Sequence, residues 1–198
     1  MKRREALRKV TLAGGAAIMA PAALSLLQSC QSVSRVSWEP EFFTQDEALF
    51  VQQFVDLLLP TTDTPGAVDV KVDIFIDKLA AHIYDEEGQK SLRDNIAQFN
   101  TECKSSFGDV FTRLDRDTQG KVFEQAEKEG GKFNSGVWGT AVGEQEPISF
   151  YRSLKSTAIG AYFSSQEIGQ NVLNYDPIPG GYDGCTPLSE VGRRWSLG

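Results

Sequence analysis

The chain has one histidine, His82, and this is the first place to look for proton transfer, because imidazole ordinarily titrates close to neutral pH. It lies in the run AAHIYD with no serine or cysteine nucleophile beside it in sequence, so it reads as a packed or surface residue of a helix. Carboxylate pairs such as Asp63 and Asp69 have the chemistry for acid and base work. In a chain with 27 acidic residues, however, such pairs are expected by chance. The segment LDRDTQG at 114–120 opens like a calcium loop through Asp115 and Asp117, but the twelfth position, where a bidentate glutamate belongs, is Ala126. A helix cap supplied by Asp117 or Thr118 is the better reading. The glycine-rich GGKFNSGVWG at 130–139 lacks the Lys-Ser/Thr ending of a phosphate loop and the spacing of a dinucleotide loop, and reads as a flexible connector. No Cys-x-x-Cys-His for covalent haem is present, nor a cysteine cluster for iron and sulfur. The sequence therefore nominates no catalytic, cofactor-binding or metal-ligating residue.

The elements that would have to position any such residue read as helices. Thr44 and Glu47 have the spacing of a capping box, and the following DEALFVQQFVDLLL sets Phe50, Val51, Phe54, Val55 and Leu58 along one side until Pro60 stops it. After Gly66, the positions Val72, Phe75, Ile76 and Leu79 repeat at three- and four-residue steps and predict a second amphipathic helix. Leu92, Ile96 and Phe99 predict a third over 87–107, with Phe107 at its end. A polar fourth helix runs from Asp117 or Thr118 through Val122, Phe123 and Ala126 to Gly130. Pro147 opens a fifth, apolar at Ile148, Phe150, Tyr151, Leu154, Ala158, Ile159 and Tyr162, and Ser164 or Ser165 begins a short sixth ending by Tyr175. No stretch sustains strand alternation, so the expected fold is all-α, an irregular helical bundle. Residues 176–198, rich in Pro and Gly but carrying Tyr182 and Trp195, are expected to pack as an extended arm on the bundle or on a partner.

Between Thr61 and Thr64, hydroxyl and carboxylate oxygens are available to free backbone N–H groups, and Pro65-Gly66 bends the chain between the first two helices. The junction LLLPTTDTPGAVDVKVDIFID, 57–77, thus reads as a helix corner and not as a catalytic loop.

The amino terminus follows a different logic. A basic start, the apolar run VTLAGGAAIMAPAALSLL and the small residues before Cys30 make an export signal over 1–29. Arg3 and Arg4 resemble the pair read by the twin-arginine translocase, which moves folded proteins. Leu27-Gln28-Ser29-Cys30 resembles a lipobox, which would lipidate Cys30 and leave 30–40 as a tether to a membrane. The helical body is then expected over 41–175. Five of the 20 basic residues and one of the 27 acidic ones lie within 1–29, leaving 15 and 26 and a formal charge of −11. So acidic a body repels nucleic acid and anionic headgroups. Two cysteines remain, Cys103 and Cys185. In an oxidising compartment they could join each other, or either could pair with another chain.

The corner LLPTTDTPGA at 58–67, in which Pro60, Thr62, Asp63, Thr64, Pro65 and Gly66 follow a characteristic pattern, resembles the gluconate 2-dehydrogenase subunit 3 family. So does the block FYRSLKSTAIGAYFSSQEIGQNVLNYDPIPGGYDGC at 150–185, where Ala161 replaces the family's glycine. The resemblance spans roughly 40–190. It implies a small, non-catalytic subunit of a membrane-associated sugar or sugar-acid dehydrogenase. The FAD would belong to a large partner subunit, and a cytochrome c subunit carrying haem c would take the electrons onward. The small subunit would supply the export signal for both chains on the way to the periplasmic side. A free-standing periplasmic lipoprotein that binds carbohydrate or protein is the alternative expectation, to be separated from the first by gene context.

Overall fold

The computed structural model describes residues 36–130, 136–137, 140–141, 147–175, 180–181 and 184–195; the expectations for Arg3, Arg4 and Cys30 lie outside the described residues. Five main helices carry the fold: α1 Gln45–Leu58, α2 Val72–His82, α3 Glu86–Phe107, α4 Arg116–Glu129 and α5 Phe150–Ser164. A 3-10 turn, Phe111–Arg113, joins α3 to α4, and a π turn, Ile168–Val172, follows α5. The fold is the expected all-α bundle. One addition stands within the predicted connector, where Gly136–Val137 and Thr140–Ala141 pair as a two-residue antiparallel ribbon.

Four of the five main helices begin where a side chain occupies a free backbone N–H; α2, preceded by Lys71 at φ 63°, has no side-chain cap. Thr44 accepts from the Glu47 N–H while Glu47 accepts from the Thr44 N–H, completing the predicted capping box. Asp85 caps α3 through the Gly88 N–H. On α4 the cap is Asp115, not Asp117 or Thr118: its carboxylate accepts the Thr118 N–H and hydroxyl, so the helix starts two residues early. On α5 the cap is Ser149 instead of an opening at Pro147, which leaves Ile148 outside the helix and 54% exposed. Ser165 restarts the chain after α5 by accepting the Ile168 N–H.

Helix α1 is the centre of the bundle, packed on α2, α4, α5 and the 3-10 turn. Its buried Ala48, Phe50, Val51, Phe54 and Val55 follow helical spacing, which is why this face lies inside. Around Phe50 and Phe54 stand Phe99, Phe111, Phe123, Phe150 and Tyr151, with ring centroids 4.7–6.5 Å apart and mostly tilted or edge-on, the preferred geometry of aromatic pairs. Gln119, buried among them, donates to Gln53 Oε1 and to the Phe111 carbonyl, each at 2.9 Å.

The second helix departs from its expected face. Val72, Asp73, Ile76, Asp77 and Ala80 are buried, whereas Phe75 is 49% exposed. Two carboxylates therefore sit on the inward stripe. They are tolerated because a strap, residues 36–43, lies against them and supplies donors. Asp77 Oδ2 accepts the Glu41 N–H at 2.7 Å, and Asp77 Oδ1 accepts those of Phe42 and Phe43 at 3.1 and 2.9 Å. Asp73 Oδ2 accepts the Trp38 indole N–H at 3.2 Å and the Gln52 amide at 3.1 Å. Val36 and Phe43 are buried at the two ends of the strap. Residues 36–40, predicted as tether, thus belong to the folded body.

The described part of the C-terminal arm is not simply extended. It contains the short helix α6, Leu188–Val191, and returns to the π turn, where Asn174 and Trp195 form a parallel bridge. The Asn174 N–H donates to the Arg194 carbonyl at 3.0 Å, and its side-chain amide to the carbonyls of Val191 and Arg193. Arg193 donates to the Val172 carbonyl at 2.9 Å, and Arg194 lies 5.6 Å over the Phe163 ring. These described residues of the arm pack on the bundle.

Candidate functional site

The corner between α1 and α2 is where the sequence concentrated its distinctive residues. Leu59 ends α1, and Ala67 closes the loop with an N–H bond to the Leu59 carbonyl at 2.8 Å. Within it the Thr62 N–H donates to the Thr64 carbonyl at 3.0 Å, and the Thr62 hydroxyl to Asp63 at 3.1 Å. The organising side chain is one that the sequence reading set aside. Asp69 Oδ2 accepts the Thr61 hydroxyl at 2.5 Å and the Gly66 N–H at 2.7 Å. These bonds, the Thr61 hydroxyl first, hold its carboxyl below the usual range. Gly66 is required by close approach, since a Cβ there would lie 2.6 Å from the Thr61 nitrogen and 2.9 Å from the Pro60 carbonyl carbon. From α5, the Tyr162 hydroxyl donates to the Pro65 carbonyl at 2.8 Å. The structure brings Pro60, Thr62, Asp63, Thr64, Pro65 and Gly66 together as a rigid corner locked to the bundle.

The other candidates fall to structural tasks. His82 is exposed at the end of α2, its Nε2 2.8 Å from Glu41, which also approaches Lys78 at 3.8 Å. Asp73 and Asp77 were missed because most of their donors lie about 35 positions away; the one available signal was their place, four apart, on the stripe of Val72 and Ile76. Glu127 pairs with Lys155 at 2.8 Å and Arg152 at 2.9 Å, and its carboxyl is held low, chiefly by the Lys155 hydrogen bond. Tyr151 is pushed up to about 12 by burial and by the nearby Glu127. Cys103 is buried in α3, with its thiol pushed up to about 11 by desolvation, and Cys185 is exposed; the two are not joined by a disulfide. Among the described residues no group of three His, Cys, Asp or Glu could hold a metal ion, and no helix is long and apolar enough to cross a membrane.

What remains is surface. Ile83, Ile148, Phe75, Trp195, Tyr175, Tyr84 and Phe163 are all at least 36% exposed. Two of them, Tyr84 and Ile148, border an open groove of about 350 Å³ between α3 and α5, floored by Ile76, Leu92, Phe150 and Leu154. A second depression of about 380 Å³ beside the 3-10 turn is polar, with Arg93, Lys104 and Arg113 facing Asp46, Glu47 and Asp109. An arrangement of bonded carboxylates, a locked corner and exposed apolar side chains can bind a macromolecule.

Residues 45–180 match the family described as gluconate 2-dehydrogenase subunit 3. The chain belongs to that family. The match runs from the first residue of α1 past the π turn, and so takes in the corner, all five main helices and the groove. The strap at 36–43 precedes it, and α6 follows it. No curated protein and no solved structure matches the chain. Membership of the gluconate 2-dehydrogenase subunit 3 family makes the chain one subunit of a gluconate 2-dehydrogenase-like oxidoreductase, which works beside a larger subunit.

Proposed function

We propose that this chain is the non-catalytic small subunit and export escort of a flavin-dependent sugar or sugar-acid dehydrogenase. The family match over 45–180 carries the reading. It is supported by how the interior polar groups are used. Asp73 and Asp77 are engaged with the strap, Gln119 with Gln53 and Phe111, and the single histidine with Glu41 at the surface. In this reading the large subunit holds the FAD and oxidises the substrate, and a cytochrome c subunit accepts the electrons. Nothing in this chain is assigned to hold the flavin. Arg3 and Arg4 direct the folded pair to the twin-arginine translocase, and lipidated Cys30 anchors it on the periplasmic side of a membrane.

The test is co-expression with a flavin-dependent dehydrogenase large subunit from the same genome, following both chains by fractionation. The unaltered chain is expected to carry the flavoprotein to the periplasm. Arg3→Lys with Arg4→Lys is expected to strand both in the cytoplasm. Undiminished export of the flavoprotein in the double variant refutes the escort role, and a pair that never associates refutes the subunit role.

A further inference from the structure

The groove between α3 and α5 has the form of a seat for a helix. Gly88, Ser91, Leu92 and Asn95 line it from α3, and Phe150, Ser153, Leu154 and Thr157 from α5. Each set has the spacing i, i+3, i+4, i+7, so each helix turns one complete stripe toward the gap. These two helices are not among the closely packed pairs of the bundle; each packs instead on α2 and α4. Small residues, Gly88, Ser91 and Ser153, keep the walls low, and Ile76 and Leu154, both nearly fully buried, make the floor apolar. From Gly88 to Asn95 the seat is about 10 Å long at 1.5 Å per residue, two turns of an incoming helix.

The rim identifies the partner's charge. Tyr84 and Gly88 bound one end of the seat, and between them in sequence stand Asp85, Glu86 and Glu87, all exposed, beside Ile83, which is 72% exposed. A groove with an apolar floor and small polar walls, flanked by an acidic turn on an acidic body, suits an occupant that is apolar on one face and basic at its end. We infer that the α3–α5 groove is where a helix of the large dehydrogenase subunit docks, its apolar face over Ile76 and Leu154 and its basic flank against Asp85, Glu86 and Glu87. This assignment rests on the subunit reading above, which supplies a partner of the required kind.

The experiment uses the full chain co-expressed with the same flavin-dependent large subunit. Ser91→Arg with Ser153→Arg blocks the seat through two exposed positions, and Ile148→Asp places a charge on its wall. Gln170→Arg, exposed on the π turn, serves as the control. The seat variants are expected to melt with the parent protein and bind the large subunit about 30-fold or more weaker, the loss typical of a central contact, while the control binds normally. Hydrogen exchange of the unaltered pair supplies a second readout. Amides of 88–95 and 150–157 are expected to gain protection on complex formation. Seat variants that bind like the parent, or equal protection of the groove in the isolated chain, overturn the docking site and leave the subunit reading standing. Failure of the unaltered pair to associate overturns both.

Discussion

Asp77→Asn probes the joint between the strap and α2 with the smallest change of shape. The native carboxylate is 1% exposed and accepts three backbone N–H groups, from Glu41 at 2.7 Å, Phe42 at 3.1 Å and Phe43 at 2.9 Å. An asparagine oxygen in the Oδ1 place keeps the bonds to Phe42 and Phe43, weakened by loss of the charge. Its amide then points donors at the Glu41 N–H, which loses its partner. Hydrogen bonds to charged groups contribute about 1.5–3 kcal/mol and neutral ones about 1 kcal/mol, so the variant should lose on the order of 2–4 kcal/mol. Detachment of the strap sets a ceiling, because peeling residues 36–43 into water re-exposes Val36 and Phe43 at about 1.5–3 kcal/mol each. Urea denaturation followed by circular dichroism measures the loss. Hydrogen exchange at residues 41–43 then separates detachment from global unfolding, since only detachment accelerates those amides ahead of α1. A variant within about 0.5 kcal/mol of the parent, with residues 41–43 as protected as before, would refute the view that this carboxylate holds the strap.

Gly66→Ala drives a Cβ into the backbone of Pro60 and Thr61, neither of which can move without opening the corner; a loss of about 1–3 kcal/mol is expected in the same denaturation assay. Cys103 should resist alkylation at pH 8 until the chain is unfolded, as judged by mass spectrometry after labelling with iodoacetamide. Its thiol rises from an ordinary value of 9.0 to about 11 on folding, so the unfolded chain gives up this proton first. The contribution is therefore intact below pH 9 and is lost as pH rises toward 11, a decline on the order of 2 kcal/mol that Cys103→Ala should abolish.

Local chemistry was legible where the competing groups are neighbours in sequence. Thr44 and Glu47 cap each other across one turn, and α1 buries the residues its spacing marks, so both could be read directly. The start of α4 was read two residues late because Asp115, Asp117 and Thr118 all offer a capping oxygen, and only the backbone path selects the first. On α2 the apolar stripe through Phe75 was misplaced. Burial there follows hydrogen bonding as well as hydropathy, and the donors to Asp73 and Asp77 come from Gln52 on α1 and from a strap some 35 residues upstream. The corner was recognised as a turn, but Asp69 was discounted. Its partners are the Thr61 hydroxyl and the Gly66 N–H, and its function depends on a loop geometry that periodicity does not encode. The groove was invisible for a related reason: it exists because α3 and α5 each turn toward α2 and α4, leaving a space between two stripes that a sequence would assign to the core.

The strap also imposes an order in time. Residues 36–43 leave the ribosome before anything they bind, and their acceptors, Asp73 and Asp77, are made only later and face inward only once α2 has coiled. Closing a loop of this length costs entropy that four hydrogen bonds repay only when the receiving face is already in place. A segment synthesised before every helix of the bundle is thus among the last to be fixed. Until that happens Trp38 has no Asp73 to meet, so the environment of one indole distinguishes a chain still assembling from one that has finished.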